Sequence, residues 1–318
     1  MRRMLGVVLT GFGGFLIVLA GFMWRYAPGQ VIKFPLDEYQ VTTLHADNVS
    51  YFSPAKLQEL SGVSITATDT VRGDVAAGTG SVAVWDEFTY VHDDTNGQEV
   101  SYDQRRAPFD RRTGRLVNCC GAFVDSNHSV QLSGQGFVWP FNAQKKTYMV
   151  FDTTLLRPVP ATFAGTGTVD GVPVYRYVEH VAPQQSGTQT LPGSLVGMPD
   201  QPSVTLPEYY AATNTYWVDP VTGATDKTDQ DQTLTLRDAA GATRLVLFQG
   251  DLSTDAAAIR GLIGQDRTGR NEIGMFTVIG PLAGVLVGVV ALVVGITLGL
   301  SGGPAPETAR RWDEAWAR

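Results

Sequence analysis

Hydrophobic positions in this chain fall into two long unbroken runs, one near each end, separated by a stretch in which apolar and polar residues alternate. The second run, Met275–Leu300, reads MFTVIGPLAGVLVGVVALVVGITLGL and carries no charge. It exceeds the roughly 20 apolar residues that a helix needs to cross a bilayer, and predicts a transmembrane helix over 274–300. The first run, Leu5–Met23, follows Arg2 and Arg3 and ends in Trp24-Arg25-Tyr26. Aromatic and basic residues of that kind sit at membrane interfaces. No small-x-small cleavage site follows the run, and Phe22 stands where a lipoprotein box would need cysteine. It therefore reads as an uncleaved anchor over 5–24. Arg2 and Arg3 on one side, and Arg310, Arg311 and Arg318 on the other, favour both termini inside. The expectation is a double-pass cell-membrane protein: 1–4 and 301–318 cytoplasmic, and one extracytoplasmic β-rich domain over 25–273.

Between the runs the period is two. SITATDTVRGDV, SVAVWDEFTYVHD and GQEVSYDQRRAPFD alternate in this way from Ser64 onward, with a hairpin turn at Asp94–Gly97. Val169-Asp170-Gly171-Val172 is a second hairpin signal, and Asp219-Pro220 with Gly223 supplies a third turn before a polar strand, Asp226–Arg237. A strand Thr243–Gly250 follows, then a helix Ala256–Gly264 capped at Ser253–Asp255. Strands with one wet face suit antiparallel sheets. Ser53–Leu60 carries a cap serine and Pro54, and predicts a short helix. Phe137, Trp139 and Phe141 alternate, which predicts one shared sheet face, with Tyr148 and Phe151 following a polar turn. These five are the candidate lining of an apolar pocket, against the plainer reading of a core face. Residues 182–207 are rich in Pro, Gly, Ser and Gln and predict the longest loop.

Composition then narrows the function. The 318 residues carry a net charge of −7, which gives nucleic acid no electrostatic footprint. Two cysteines provide no disulfide framework. They are adjacent, Cys119 and Cys120, and three readings stay open: unlinked thiols, a vicinal disulfide fixing a turn, and redox or metal chemistry. His45, His92, His128 and His180 are scattered. Asp226, Asp229 and Asp231 lack the glycine and glutamate of a calcium loop and read as a solvated strand face. With no hydrolase, metalloprotease or P-loop pattern, the expectation is no enzyme, no cofactor and no metal site. Gly280, Gly284 and Gly288 share a helix face suited to close packing, with the first helix (Gly11, Gly13, Gly14), a homo-oligomer or a membrane transporter as its partner.

Taken with the two terminal helices, the stretches FDRRTGRLVNCC (109–120), FVWPFNAQKKTYMVFD (137–152), GTGTVDGVPVYRY (165–177) and TYWVDPVTG (215–223) resemble the actinobacterial porin PorA family over essentially the whole chain. The resemblance implies an envelope role, with members linked to lipid or glycolipid handling, and the family name implies a pore. Strands that read as short, with charged or Thr-rich outer faces, do not suit an outer-membrane barrel. The run ending in YWVDPVTG resembles lipoprotein-carrier folds, which are curved sheets around an acyl cavity. The expected fold is therefore mainly β with flanking helices: a curved antiparallel sheet or partly closed barrel with one transmembrane helix at each end. The expected function is binding or handing over an envelope lipid or glycolipid, with membrane lipids around the anchors; the alternative is a scaffold for envelope-growth or lipid-transport machinery.

Overall fold

The computed structural model describes residues 2–26 and 28–301; the expected C-terminal tail from residue 302 lies outside them. The described residues form two compact units, one from the two ends, up to residue 32 and from 271 onward, and one over 33–270.

In the first unit, α1 (Arg2–Arg25) is followed by a single turn, α2 (Pro28–Val31). The other long helix of this unit, Gly280–Ser301, is numbered α4 below, since the chain forms one more helix, α3, before it. A π-helical turn, Met275–Ile279, leads into α4. α1 and the helical region containing α4 are long and apolar enough to cross a membrane. The buried positions of α1 are Gly6, Gly13 and Ala20; those of α4 are Pro281, Gly288 and Gly295. Each set repeats every seventh residue, the spacing that keeps one seam turned to a partner helix. Small residues along the seam let the backbones touch. A Cβ on Gly13 would come 2.5 Å from the Gly288 carbonyl oxygen, and one on Gly295 would come 2.5 Å from the Thr10 nitrogen. Of the glycines singled out in α4, Gly284 faces Ala20 and Gly288 faces Gly13 and Ile17, while Gly280 lies beside Met23. Of the three singled out in α1 only Gly13 takes part, joined there by Gly6; Gly11 and Gly14 face open space because they lie off the seven-residue seam.

The second unit contains eleven strands among the described residues: β1 (Tyr39–Ser53), β2 (Gln58–Gly73), β3 (Val82–Asp93), β4 (Glu99–Asp110), β5 (Phe123–Val124), β6 (Tyr148–Asp152), β7 (Arg157–Val169), β8 (Val172–Leu191), β9 (Val204–Val218), β10 (Thr225–Arg237) and β11 (Thr243–Thr254). They form one antiparallel sheet in the order β5-β4-β3-β2-β1-β11-β10-β9-β8-β7-β6, curled into a half-barrel. β1 and β11 lie side by side in the middle, and β5 and β6 are the edges. A strand-like piece of the 111–147 connection joins the two edge regions: Leu116 N–H donates to Gly134 O, Gln135 N–H to Met149 O and Phe151 N–H to Gln135 O. The helix α3 (Ala256–Gly274) closes the unit.

Period-two alternation explains the two faces. In β2, Ile65, Ala67 and Val71 are buried, while Ser64, Thr66, Thr68 and Thr70 point the other way. The hairpins form where turn chemistry is strongest. Asp170 and Gly171 both take positive φ, +45° and +80°, as a two-residue turn of matching twist requires.

Four expectations change. Ser53–Leu60 is not a helix: β1 runs to Ser53 and β2 starts at Gln58, and Ser53 Oγ accepts the Lys56 N–H within the turn. The capping signals were real, but cross-strand pairing of Tyr51 with Leu60 prevails. The long loop 182–207 shrinks to 192–203, because β8 continues to Leu191 and pairs with Val204 at the start of β9. The strands are not short; β8 has 20 residues and β2 has 16. Bulges interrupt their alternation, as between Val181 and Gln184, and hide the true length. Phe137, Trp139 and Phe141 lie in no strand and share no sheet face.

Candidate functional site

The five candidate lining aromatics divide between two clusters. Phe151 belongs with Phe34, Trp85 and Phe109, and Phe137 and Phe141 pack against that group. Trp139 belongs with Val150, Ala161, Tyr177 and Val218, and Tyr148 packs there. Trp139 is 4 % exposed, stacks on Tyr177 at 4.3 Å and meets Tyr148 edge-on at 5.3 Å. The connection is held at this point by backbone bonds. Trp139 N–H donates to Gly223 O and Ala143 N–H to Pro220 O, so the FVWPFNA stretch lies along the DPVTG turn.

One residue beyond Tyr177 on the same inward row stands Glu179, 1 % exposed. Its two oxygens accept hydrogen bonds from Asn214 Nδ2 and the Tyr216 hydroxyl, both at 3.1 Å. Burial, followed by the nearby Asp152 charge, raises its pKa to about 7. Burial likewise raises Asp152 and Tyr216. The arrangement offers a carboxyl that is easily protonated, set behind a wall of aromatic rings.

A second polar group gathers where the β9–β10 turn meets α3. Ile259 and Ile263 seat α3, packing with Val169, Val172 and Val174 of the β7–β8 hairpin. Asp266 and Arg270 continue the same helix face at spacings of three and four, so they follow the isoleucines inward. Asp219 Oδ1 accepts the Val221 and Thr222 N–H groups, and Arg270 Nη1 donates to Asp219 Oδ2. Thr222 Oγ1 donates to Asp266 Oδ1. Asp226, at the start of β10, completes the group. One oxygen from each of Asp219, Asp226 and Asp266 lies within 4.8 Å of the others. All three residues are buried, at 0 %, 0 % and 4 % exposure. Asp226 is thus not solvated: it is buried beside Asp219 and the α3 residue Asp266, whereas Asp229 is half-buried and Asp231 exposed. Burial, then Asp266, raises the Asp226 pKa to about 8; burial, then Asp219, raises Asp266 to about 7.

Sequence reasoning missed Glu179, Asp219 and Asp266 as members of polar clusters. Asp219 reads as an ordinary turn residue. For Asp266 a signal existed, a carboxylate at helical spacing from Ile259 and Ile263. Cys119 and Cys120 form a disulfide in an exposed turn, with Cys120 at φ +58° and its carbonyl accepting from Arg106 Nε. Two of the four histidines are not scattered: His45 and His92 both reach Asp94, at 3.4 Å. That group is exposed enough to be an ordinary surface network.

A search of curated proteins finds no match. Among solved structures, the chain is similar to one titled "Crystal structure of an N-terminal dehydratase from difficidin assembly line", with 11 % identity over 79 % of this chain and 89 % of that one, at a TM-score of 0.11. At that level of superposition the likeness carries no argument. The decisive comparison is with families: the model described as Porin PorA matches residues 5–297, from the first helix through the whole sheet into the last, and the chain belongs to that family.

Proposed function

We propose that this membrane envelope protein holds an envelope lipid or glycolipid within its curled sheet, on the extracytoplasmic side of the cell membrane with both termini cytoplasmic, and performs no catalysis. One observation carries the reading. The buried apolar side chains of the β unit form six separate clusters among the described residues instead of one continuous core. A domain of this size ordinarily builds one contiguous core. Along β10 the row Gln230, Gln232 and Leu234, which shares its face with the buried Leu236, is only half-buried, as is Phe248 opposite Leu234. An amphiphile bound along this inner row would set its chain against Leu234 and Phe248 and its polar head against the glutamines.

The family's porin name invites a strand-lined pore. The opposite faces of the strands carry Thr66, Thr68 and Thr70 on β2 and Asp229, Asp231 and Thr233 on β10. Facing hydrocarbon, the two aspartates would be unfavourable, though by less than the roughly 2–4 kcal/mol that Arg or Lys costs at the bilayer midplane. The two apolar helices serve as the membrane anchors instead.

Native mass spectrometry of residues 33–270, followed by lipid extraction, tests the reading. The expected result is one retained lipid per chain, and Leu234→Gln should reduce its occupancy while leaving the melting temperature nearly unchanged. A clean apo mass that added envelope lipids do not alter would replace the carrier with a scaffold.

A further inference from the structure

The buried carboxylates at the foot of α3 have a charge balance that the protein alone leaves open. Asp219 spends both oxygens on the turn amides and on Arg270. Asp226 has neither oxygen hydrogen-bonded among the described residues, and Asp266 Oδ2 has no partner either. Three carboxylates face one guanidinium. An uncompensated buried carboxylate costs several kcal/mol, and buried polar atoms are nearly always satisfied. The free oxygens belong to side chains that are almost wholly buried, at 0 % and 4 % exposure, in a group where one oxygen from each of the three carboxyls lies within 4.8 Å of the others.

We infer that Asp219, Asp226 and Asp266 hold a calcium-type divalent cation that ties α3 to the β9–β10 turn. The donors are all oxygen, which selects a hard cation. Asp226, with both oxygens free, can bind it in bidentate fashion, a habit of calcium sites. Magnesium keeps its waters and demands near-octahedral geometry, so an enclosed carboxylate set favours calcium. Thr222 and Arg270 hold the ligands in place: the hydroxyl orients Asp266, and the guanidinium orients Asp219. The site is independent of lipid binding and needs no ligand in the half-barrel.

The competing occupant is a proton, shared among carboxyls that burial has made weak acids. Full-length protein in detergent, stripped with EDTA, distinguishes the two. Calcium titrated by calorimetry should bind one ion per chain with a dissociation constant in the range of about 10⁻⁵–10⁻³ M, and raise the melting temperature by a few degrees, about 2–5 °C. Magnesium should bind at least about tenfold more weakly. Asp226→Asn should abolish both the binding and the shift; should that variant fail to fold, Asp266→Asn and metal analysis of the wild-type protein before and after EDTA provide the same readout. No bound calcium at millimolar concentration overturns the inference, as does calcium binding that survives Asp226→Asn. Magnesium binding as tight as calcium overturns the calcium assignment. An Asp226→Asn protein more stable than wild type, with no cation dependence in either, would identify the proton as the occupant.

Discussion

Trp139 packs between Tyr177, Tyr148 and Tyr216 while its backbone is bonded to the β9–β10 turn. Truncating a buried tryptophan removes transfer free energy and leaves a cavity. Trp139→Ala should therefore lower unfolding free energy by about 3–5 kcal/mol, measured by urea melts. Lipid retention should fall only as far as the fold does. Glu179 makes a different prediction. Its folded pKa, about 7, is raised above the unfolded value of 4.5. Its contribution is fully present below pH 4.5 and is lost as pH rises through 7. Between pH 5 and pH 8, wild-type protein should lose stability relative to Glu179→Gln by at most about 3 kcal/mol. Melts of both proteins at the two pH values check the sign; a parallel pH dependence would remove Glu179 from the account.

At the level of elements, the helix seam is testable by cross-linking. Cβ positions at Ala20 and Gly284 lie 3.1 Å apart. With Cys119 and Cys120 replaced by serine, Ala20→Cys with Gly284→Cys should form a disulfide readily under oxidant. Adding Gly13→Leu, which collides with the Gly288 backbone, should suppress it several-fold. The same level shows where sequence was sufficient. Asp170-Gly171 and Asp94–Gly97 announce their hairpins because positive φ is a local demand with few residues able to meet it. The terminal helices are legible because hydrocarbon leaves no alternative use for uncharged runs of 19 and 26 residues. Ser53–Leu60 misleads because its helix signals are local and the pairing that overrules them is not. The segment 184–191 has almost no apolar residue to alternate, and only β9 makes it a strand. The polar clusters were harder still. Asp219, Asp226 and Asp266 come together only once α3 docks, and nothing in the turn or the strand says which helix will arrive.

For the molecule as a whole, residues 33–270 have their own clusters, their own sheet and a helix seated on both. Expressed alone, this unit should melt in a single cooperative transition, with far-UV circular dichroism dominated by β-structure. A broad or absent transition would mean that the apolar helices are needed for it to fold. The order of strands has a further consequence, in time instead of space. Leu44 of β1 pairs with Thr254 of β11, nearly the whole domain away in sequence. As the chain is made, β1 can pair with β2 at once, but its other edge stays open until the last strand has emerged. Pairings so distant in sequence fold slowly, and an open strand edge is a template for other chains. Biogenesis of this protein should therefore be sensitive to crowding among its own nascent copies, and its yield on refolding should fall as concentration rises, even though the finished sheet has its first and last strands sealed together at its centre.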